Sequence, residues 1–84
     1  MPLNVSVISP EKTLFEGRVD SVVAPAYDGE VGILPGHAPM MTLLGKGSLR
    51  LDGSSGKRFE IEGGFLQVVS NTVRIVTEKA AAAA

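Results

Sequence analysis

His37 is the only histidine of the chain, and no cysteine accompanies it. Nucleophilic hydrolysis needs a nucleophile, a base and a group that orients the base. Serines are present, but none sits in a Gly-x-Ser-x-Gly elbow that would display it. Metal chemistry fares no better: one His, no Cys and no carboxylate spacing that resembles a calcium loop. Asp28 and Glu30 are spaced to share a face of extended backbone. Paired carboxylates can do acid–base work, but on a loop they more often stay solvated or match a partner. Gly45-Lys46-Gly47-Ser48 has the residue types of a phosphate loop at the wrong spacing. Gly29, Gly32 and Gly36 neither spell a dinucleotide fingerprint nor open a helix. Three Phe and one Tyr are too few to build a stacking platform for bases. These residues favour a binding or structural module over an enzyme, and call for no cofactor. His37 keeps two readings: a local packing or hydrogen-bonding role at a strand entry, or a contact to another subunit.

The stretch from Asp28 to Met41 is the one around which the chain is organised. It holds three of the ten glycines and two of the five prolines. Proline fixes φ and glycine opens conformations closed to other residues, so this composition makes a shaped loop. Loops held by a rigid scaffold often carry function, although most only turn the chain.

The scaffold reads as strands. Leu3, Val5 and Val7 alternate with Asn4 and Ser6, a half-buried strand of period two that Ser9-Pro10 ends. A second extended segment starts at Thr13, with Gly17 marking a bulge or a close backbone approach. Ser21 to Ala24 continues as strand and stops at Pro25. Glu30 to Leu34 has room for a short strand. Pro39 to Leu44 is apolar on both faces, which suits a central strand or one covered by another protein. Beyond Gly45-Lys46-Gly47, Leu49 and Leu51 alternate with Ser48, Arg50 and Asp52, then Phe59 and Ile61 with Arg58, Glu60 and Glu62. Gly53-Ser54-Ser55-Gly56 joins these two as a flexible hairpin loop. Gly63-Gly64 and Ser70-Asn71 are turns around Phe65 to Val69, and Val73, Ile75 and Thr77 close the pattern. Turn residues at this spacing predict an all-β fold, a flattened antiparallel β-sandwich of about 8–10 short strands. Residues 1–79 form that domain, and 80–84 an Ala-rich C-terminal tail, frayed or the stub of a helix.

Eighty-four residues make one small domain, which buries roughly 60% of the surface its unfolded chain exposes. The formal net charge is −1 with mixed signs, so neither nucleic acid nor an anionic membrane is an expected partner. Met1-Pro2-Leu3-Asn4 lacks the basic start of a signal peptide, and no apolar run approaches a membrane span. Membrane association is therefore expected only through a partner.

Asp28-Gly29-Glu30-x-Gly32-Ile33-Leu34-Pro35-Gly36-His37-Ala38-Pro39 resembles the signature loop of the epsilon subunit of F-type ATP synthases, the delta subunit in mitochondria. Val7-Ile8-Ser9-Pro10-Glu11 and Leu14-Phe15-Glu16-Gly17 are similar to that family's opening strands. Ile61-x-Gly63-Gly64-Phe65-x-Gln67-Val68 and Asn71-x-Val73-x-Ile75 are similar to its closing ones. The resemblance implies a flattened β-sandwich of about ten strands, in agreement with the strand pattern. It implies a non-catalytic central-stalk subunit that binds the gamma subunit, stands on the ring of c subunits, and couples proton flow to ATP synthesis. The location it implies is peripheral, on the cytoplasmic side of a bacterial membrane or on another coupling membrane such as the thylakoid.

By the same resemblance, Asp28, Gly29 and Glu30 would contact the c-ring, where acidic residues complement basic loops. His37, Ala38, Pro39, Met40, Met41 and Thr42 would contact gamma, since methionine adapts to irregular surfaces. Most bacterial and chloroplast members continue as a helical hairpin that can inhibit ATP hydrolysis and in some binds ATP. This chain stops at Ala84, so neither property is expected of it. A rival reading is a stand-alone β-sandwich module for a carbohydrate or peptide. That module would need a concave face with aromatic residues, for which the chain offers only Phe15, Tyr27, Phe59 and Phe65.

Overall fold

The structure, a computed structural model, describes residues 2–53 and 56–82. Ser54-Ser55 of the expected hairpin loop and Ala83-Ala84 of the alanine run lie outside the described residues. The described chain forms ten strands: β1 (Leu3–Ile8), β2 (Thr13–Val19), β3 (Ser21–Ala26), β4 (Gly29–Ile33), β5 (Met40–Leu43), β6 (Lys46–Asp52), β7 (Lys57–Glu62), β8 (Phe65–Val69), β9 (Thr72–Val76) and β10 (Lys79–Ala82). They make two five-stranded sheets, ordered β2-β1-β9-β8-β5 and β10-β7-β6-β3-β4. The expected all-β sandwich is what forms. Every pairing between strands is antiparallel except β1 with β9, which is parallel. A parallel pair needs a long crossover, and here most of the chain serves as one.

Period-two alternation puts the apolar residues between the sheets. Leu3, Val5, Val7, Val19, Leu66, Val68, Val73 and Ile75 come from the first sheet. Val22, Ala24, Ile33, Leu49, Leu51, Phe59 and Ile61 come from the second. Full burial of each large aliphatic side chain contributes about 1.5–3 kcal/mol. Two turns are fixed by backbone conformation. Ser70 and Asn71 have φ of 50° and 61°, the pattern of a type I′ turn, and join β8 to β9 as a hairpin. Gly64 has φ of 108°, and a Cβ there would sit 1.9 Å from the Val76 carbonyl oxygen, so only glycine fits.

Four details depart from the sequence pattern. Pro25 does not stop β3, which runs on to Ala26. The Pro25 carbonyl accepts from Gly45 N–H on the side toward β6, and β6 pairs with β3 only at Ser21, Val22 and Val23. The donor missing from proline therefore falls where no ladder bond is required. The register slip in β1–β2 lies at Leu14, between the Val7–Phe15 and Ile8–Thr13 pairs, and not at Gly17. Gly17 pairs regularly with Val5, and the Phe15 ring lies over it, 3.3 Å from where a Cβ would be.

The third concerns β5: of its two expected placements, central or covered by another protein, the central one is excluded because β5 is an edge strand. Its inward residue Met40 packs against the core, while Met41 and Leu43 are exposed. The fourth is the alanine run. Lys79–Ala82 pairs with Glu62 to Phe59 of β7 and is neither frayed nor helical. A segment this short cannot nucleate a helix alone. The open edge of β7 offers it backbone partners, and Ala80 packs against the core.

Candidate functional site

β3 and β4 form a hairpin whose turn is Tyr27-Asp28, with Ala26 paired to Gly29 and Pro25 to Glu30. Gly29 takes φ of 130°, which lets the strand leave the turn. Asp28, Gly29 and Glu30 are all exposed. The sequence places these carboxylates two residues apart, and the structure holds Asp28 in the turn and Glu30 in the second pair from it, opposite Pro25.

The irregular part of the signature stretch is shorter than its composition suggests, running from residue 34 to 39 between β4 and β5. His37 N–H donates to the Leu34 carbonyl at 3.1 Å and closes a turn. Gly36, with φ of 85°, donates its N–H to Asn71 Oδ1 at 2.7 Å. Asn71 is itself held by its carbonyl, which accepts from Asn4 N–H at 2.8 Å. The β8–β9 turn therefore anchors the loop. Half-buried His37 meets the Ala38 carbonyl through Nδ1 at 2.7 Å, and because a carbonyl only accepts, Nδ1–H is the donor. That bond is the local role expected at a strand entry.

The candidate residues fall into two groups. Asp28 and Glu30 sit at one end of β4; His37, Ala38 and Pro39 follow its other end, roughly 15 Å away by strand rise. Met40, Met41 and Thr42 are the first three residues of β5, and within it the two methionines face opposite ways. Two exposed side chains extend these groups. Tyr27, 69% exposed, donates its N–H to the Leu43 carbonyl at 3.0 Å and so joins the acidic turn to the end of β5. Leu43 is 63% exposed beside Met41 at 64%. The apolar run Pro39–Leu44 was the signal for Leu43, and the sole tyrosine before Asp28 was the signal for Tyr27.

Of the four aromatic residues, Phe59 is buried, Phe15 packs against the core, Phe65 is half-buried and Tyr27 alone is exposed. A surface hollow across β1, β2 and β9, lined by Asn4, Val5, Ser6, Glu16, Gly17, Arg18 and Thr72, contains no aromatic ring. The stand-alone carbohydrate or peptide module finds no aromatic platform there.

The fold and the site define a small β-sandwich that presents an acidic hairpin tip and an apolar strand edge. Residues 2–83 match the family model described as "ATP synthase, Delta/Epsilon chain, beta-sandwich domain". The chain belongs to that family. It is 52% identical over 80 residues to an ATP synthase epsilon chain of Leptospira borgpetersenii, covering 94% of this chain and 63% of that one. It is 43% identical over 83 residues to the epsilon chain of Caulobacter vibrioides, covering 98% of this chain and 96% of that one. It thus spans under two thirds of the Leptospira relative and nearly all of the Caulobacter one. Two solved assemblies share the fold. One is the Euglena gracilis mitochondrial ATP synthase OSCP/F1/c-ring, with TM-score 0.89 and 22% identity over 96% of this chain and 53% of that one. The other is the Tetrahymena thermophila central stalk/c-ring, with TM-score 0.80 and 19% identity over 96% of this chain and 66% of that one.

Proposed function

We propose that this chain is a non-catalytic central-stalk subunit of a rotary ATP synthase, linking the gamma subunit to the c-ring and coupling proton translocation to ATP synthesis. The observation that supports it best is the pair of contrasting surfaces built into one family-matched domain. The Asp28-Gly29-Glu30 turn is acidic and exposed, and suits the polar loops of a ring. The segment His37, Ala38, Pro39, Met40, Met41 and Thr42 leads from an anchored loop into an apolar edge, and suits gamma. The domain then acts as a rigid spacer between two partners. Its association with the membrane is peripheral, on the cytoplasmic side, through those partners. Both solved neighbours are ATP synthase assemblies that include the c-ring, which agrees with this reading.

The test is co-purification. The tagged chain is added to detergent-extracted membranes and its partners are identified. Gamma and the c subunit should come down together, and Glu30→Lys should lose the ring, keep gamma and leave the melting temperature unchanged. A folded chain that comes down alone would overturn the stalk reading.

A further inference from the structure

Of the ten glycines, Gly32 is the one that its own chain does not require. Each of the other nine has a positive φ or a neighbouring atom that would crowd a Cβ. Gly32 takes an ordinary φ inside β4, and a Cβ there would meet nothing within 4 Å. Glycine weakens a strand interior. Where the chain itself has no use for it, it marks a close approach by another backbone or a ligand.

The same row of the sheet holds a second feature that the isolated fold does not favour. Val23 pairs with Gly32 on one side and with Arg50 on the other, and Arg50 pairs with Arg58. Directly paired residues share a face, so these four form one row across β4, β3, β6 and β7, about 14 Å long. The face is the outer one, because Val22, Ala24, Leu49, Leu51 and Phe59 beside them point into the core. Arg50 and Arg58 are both exposed, and like charges directly opposite each other repel. The carboxylates two residues along their own strands are Asp52 and Glu60, and each has a serine partner. Ser21 Oγ–H donates to Asp52 Oδ2 at 3.4 Å, and Ser48 Oγ–H donates to Glu60 Oε2. Among the described residues no hydrogen bond joins either guanidinium to a carboxylate.

We propose that this row is a docking surface for an acidic protein segment, whose backbone lies over Gly32 and Val23 and whose carboxylates meet Arg50 and Arg58. The planar fork of arginine donates to both oxygens of a carboxylate, so the segment supplies the charge that the arginine pair leaves open. Exposed Gly32 and half-buried Val23 form a low strip on which main chain can rest; a small free anion has no use for that clearance. The neighbouring rows narrow the choice of partner. Glu30 and Glu60 flank the row on one side and Asp52 on the other, each exposed. They repel a segment that is acidic throughout and admit one that runs along the row and ends in its acids. The row lies on the sheet that does not contain β5, and it does not depend on the stalk reading.

NMR titration of the chain with the blocked peptide Ala-Gly-Ala-Gly-Glu-Glu tests it, against the same peptide ending in Gln-Gln and against inorganic phosphate. The Glu-Glu peptide should shift the amides of Val23 and Gly32 and the side-chain Nε–H signals of Arg50 and Arg58, with a midpoint on the order of millimolar. The Gln-Gln peptide should bind at least about tenfold more weakly. Arg58→Gln should weaken the Glu-Glu peptide by about tenfold while the melting temperature stays level or rises, because a repulsion is removed. Gly32→Val should weaken it too and melt no lower. Arg74→Gln, on the other sheet, should change nothing. If a variant does not fold, the two peptides on the unmodified chain decide. Equal binding of both peptides, shifts spread equally over Arg18, Lys46 and Arg74, or no shift at all overturns the proposal. Phosphate that moves Arg50 and Arg58 as strongly as the peptide makes the pair a free-anion site and overturns docking. Shifts at Gly32 that grow with the concentration of the chain alone assign the row to a second copy and overturn it as well.

Discussion

Met40 and Met41 are neighbours in sequence and opposites in the fold. Met40 packs against the core and Met41 is 64% exposed. Met40→Asp sets a charge against the core from a half-buried position, and should lower stability by about 1–3 kcal/mol, read as a fall in the thermal midpoint. Met41→Asp, on an exposed side chain, should leave that midpoint within a degree or two. Equal melting temperatures for the two variants would contradict the assignment. Asn71 supports the loop before His37 through one bond to Gly36 N–H. Asn71→Ala removes that acceptor and puts a poorer residue at a φ of 61°. The expected cost is about 1–2 kcal/mol, with changed NMR shifts at Gly36 and His37. The role of Asn71 was not legible in the sequence beyond a turn, because its partner is a loop 35 residues away. The facing of Met40 and Met41 was not legible either, since an apolar run has no period to read.

At the scale of the element, alternation did most of the work. β1, β6, β7 and β9 could each be read from it, because each has one face on the core and one on water. Alternation failed where backbone pairing outweighs side-chain type. The Pro25-Ala26 end of β3 and alanine-rich β10 are strand because a neighbour supplies the ladder, not because their residues favour one. Gly63-Gly64 could be read as a turn, but not as the place where the chain crosses from one sheet to the other. Gly64→Ala should be severe. A Cβ 1.9 Å from a carbonyl oxygen, at φ of 108°, forces β7, β8 or β9 to move. A loss of about 3 kcal/mol or more is expected in a denaturant titration, against almost none for Gly32→Ala, where a Cβ meets nothing within 4 Å.

For the molecule as a whole, the sheets are tied by pairs that the sequence order does not suggest. β9 lies between β1 and β8, near the centre of its sheet, while β10 is an edge. Removal of residues 72–84 should leave no folded domain by circular dichroism and NMR, since β1 and β8 both lose the strand that joins them. Removal of residues 79–84 should leave a folded domain with a lower melting temperature. A cooperative melt in the longer deletion would show that β9 matters less than its position implies.

The parallel pairing of β1 and β9 also decides how the domain answers a pull. Tension applied between the chain ends first peels β10 from β7 one pair at a time, starting at Ala82. It then reaches Val76, paired with Ile8. From there the load drags β1 and β9 in opposite directions along their length. The five pairs from Asn4–Thr72 to Ile8–Val76 must then break together in shear. Peeling is soft and shear is stiff, so the sandwich has a compliant outer strand and a stiff clamp beneath it.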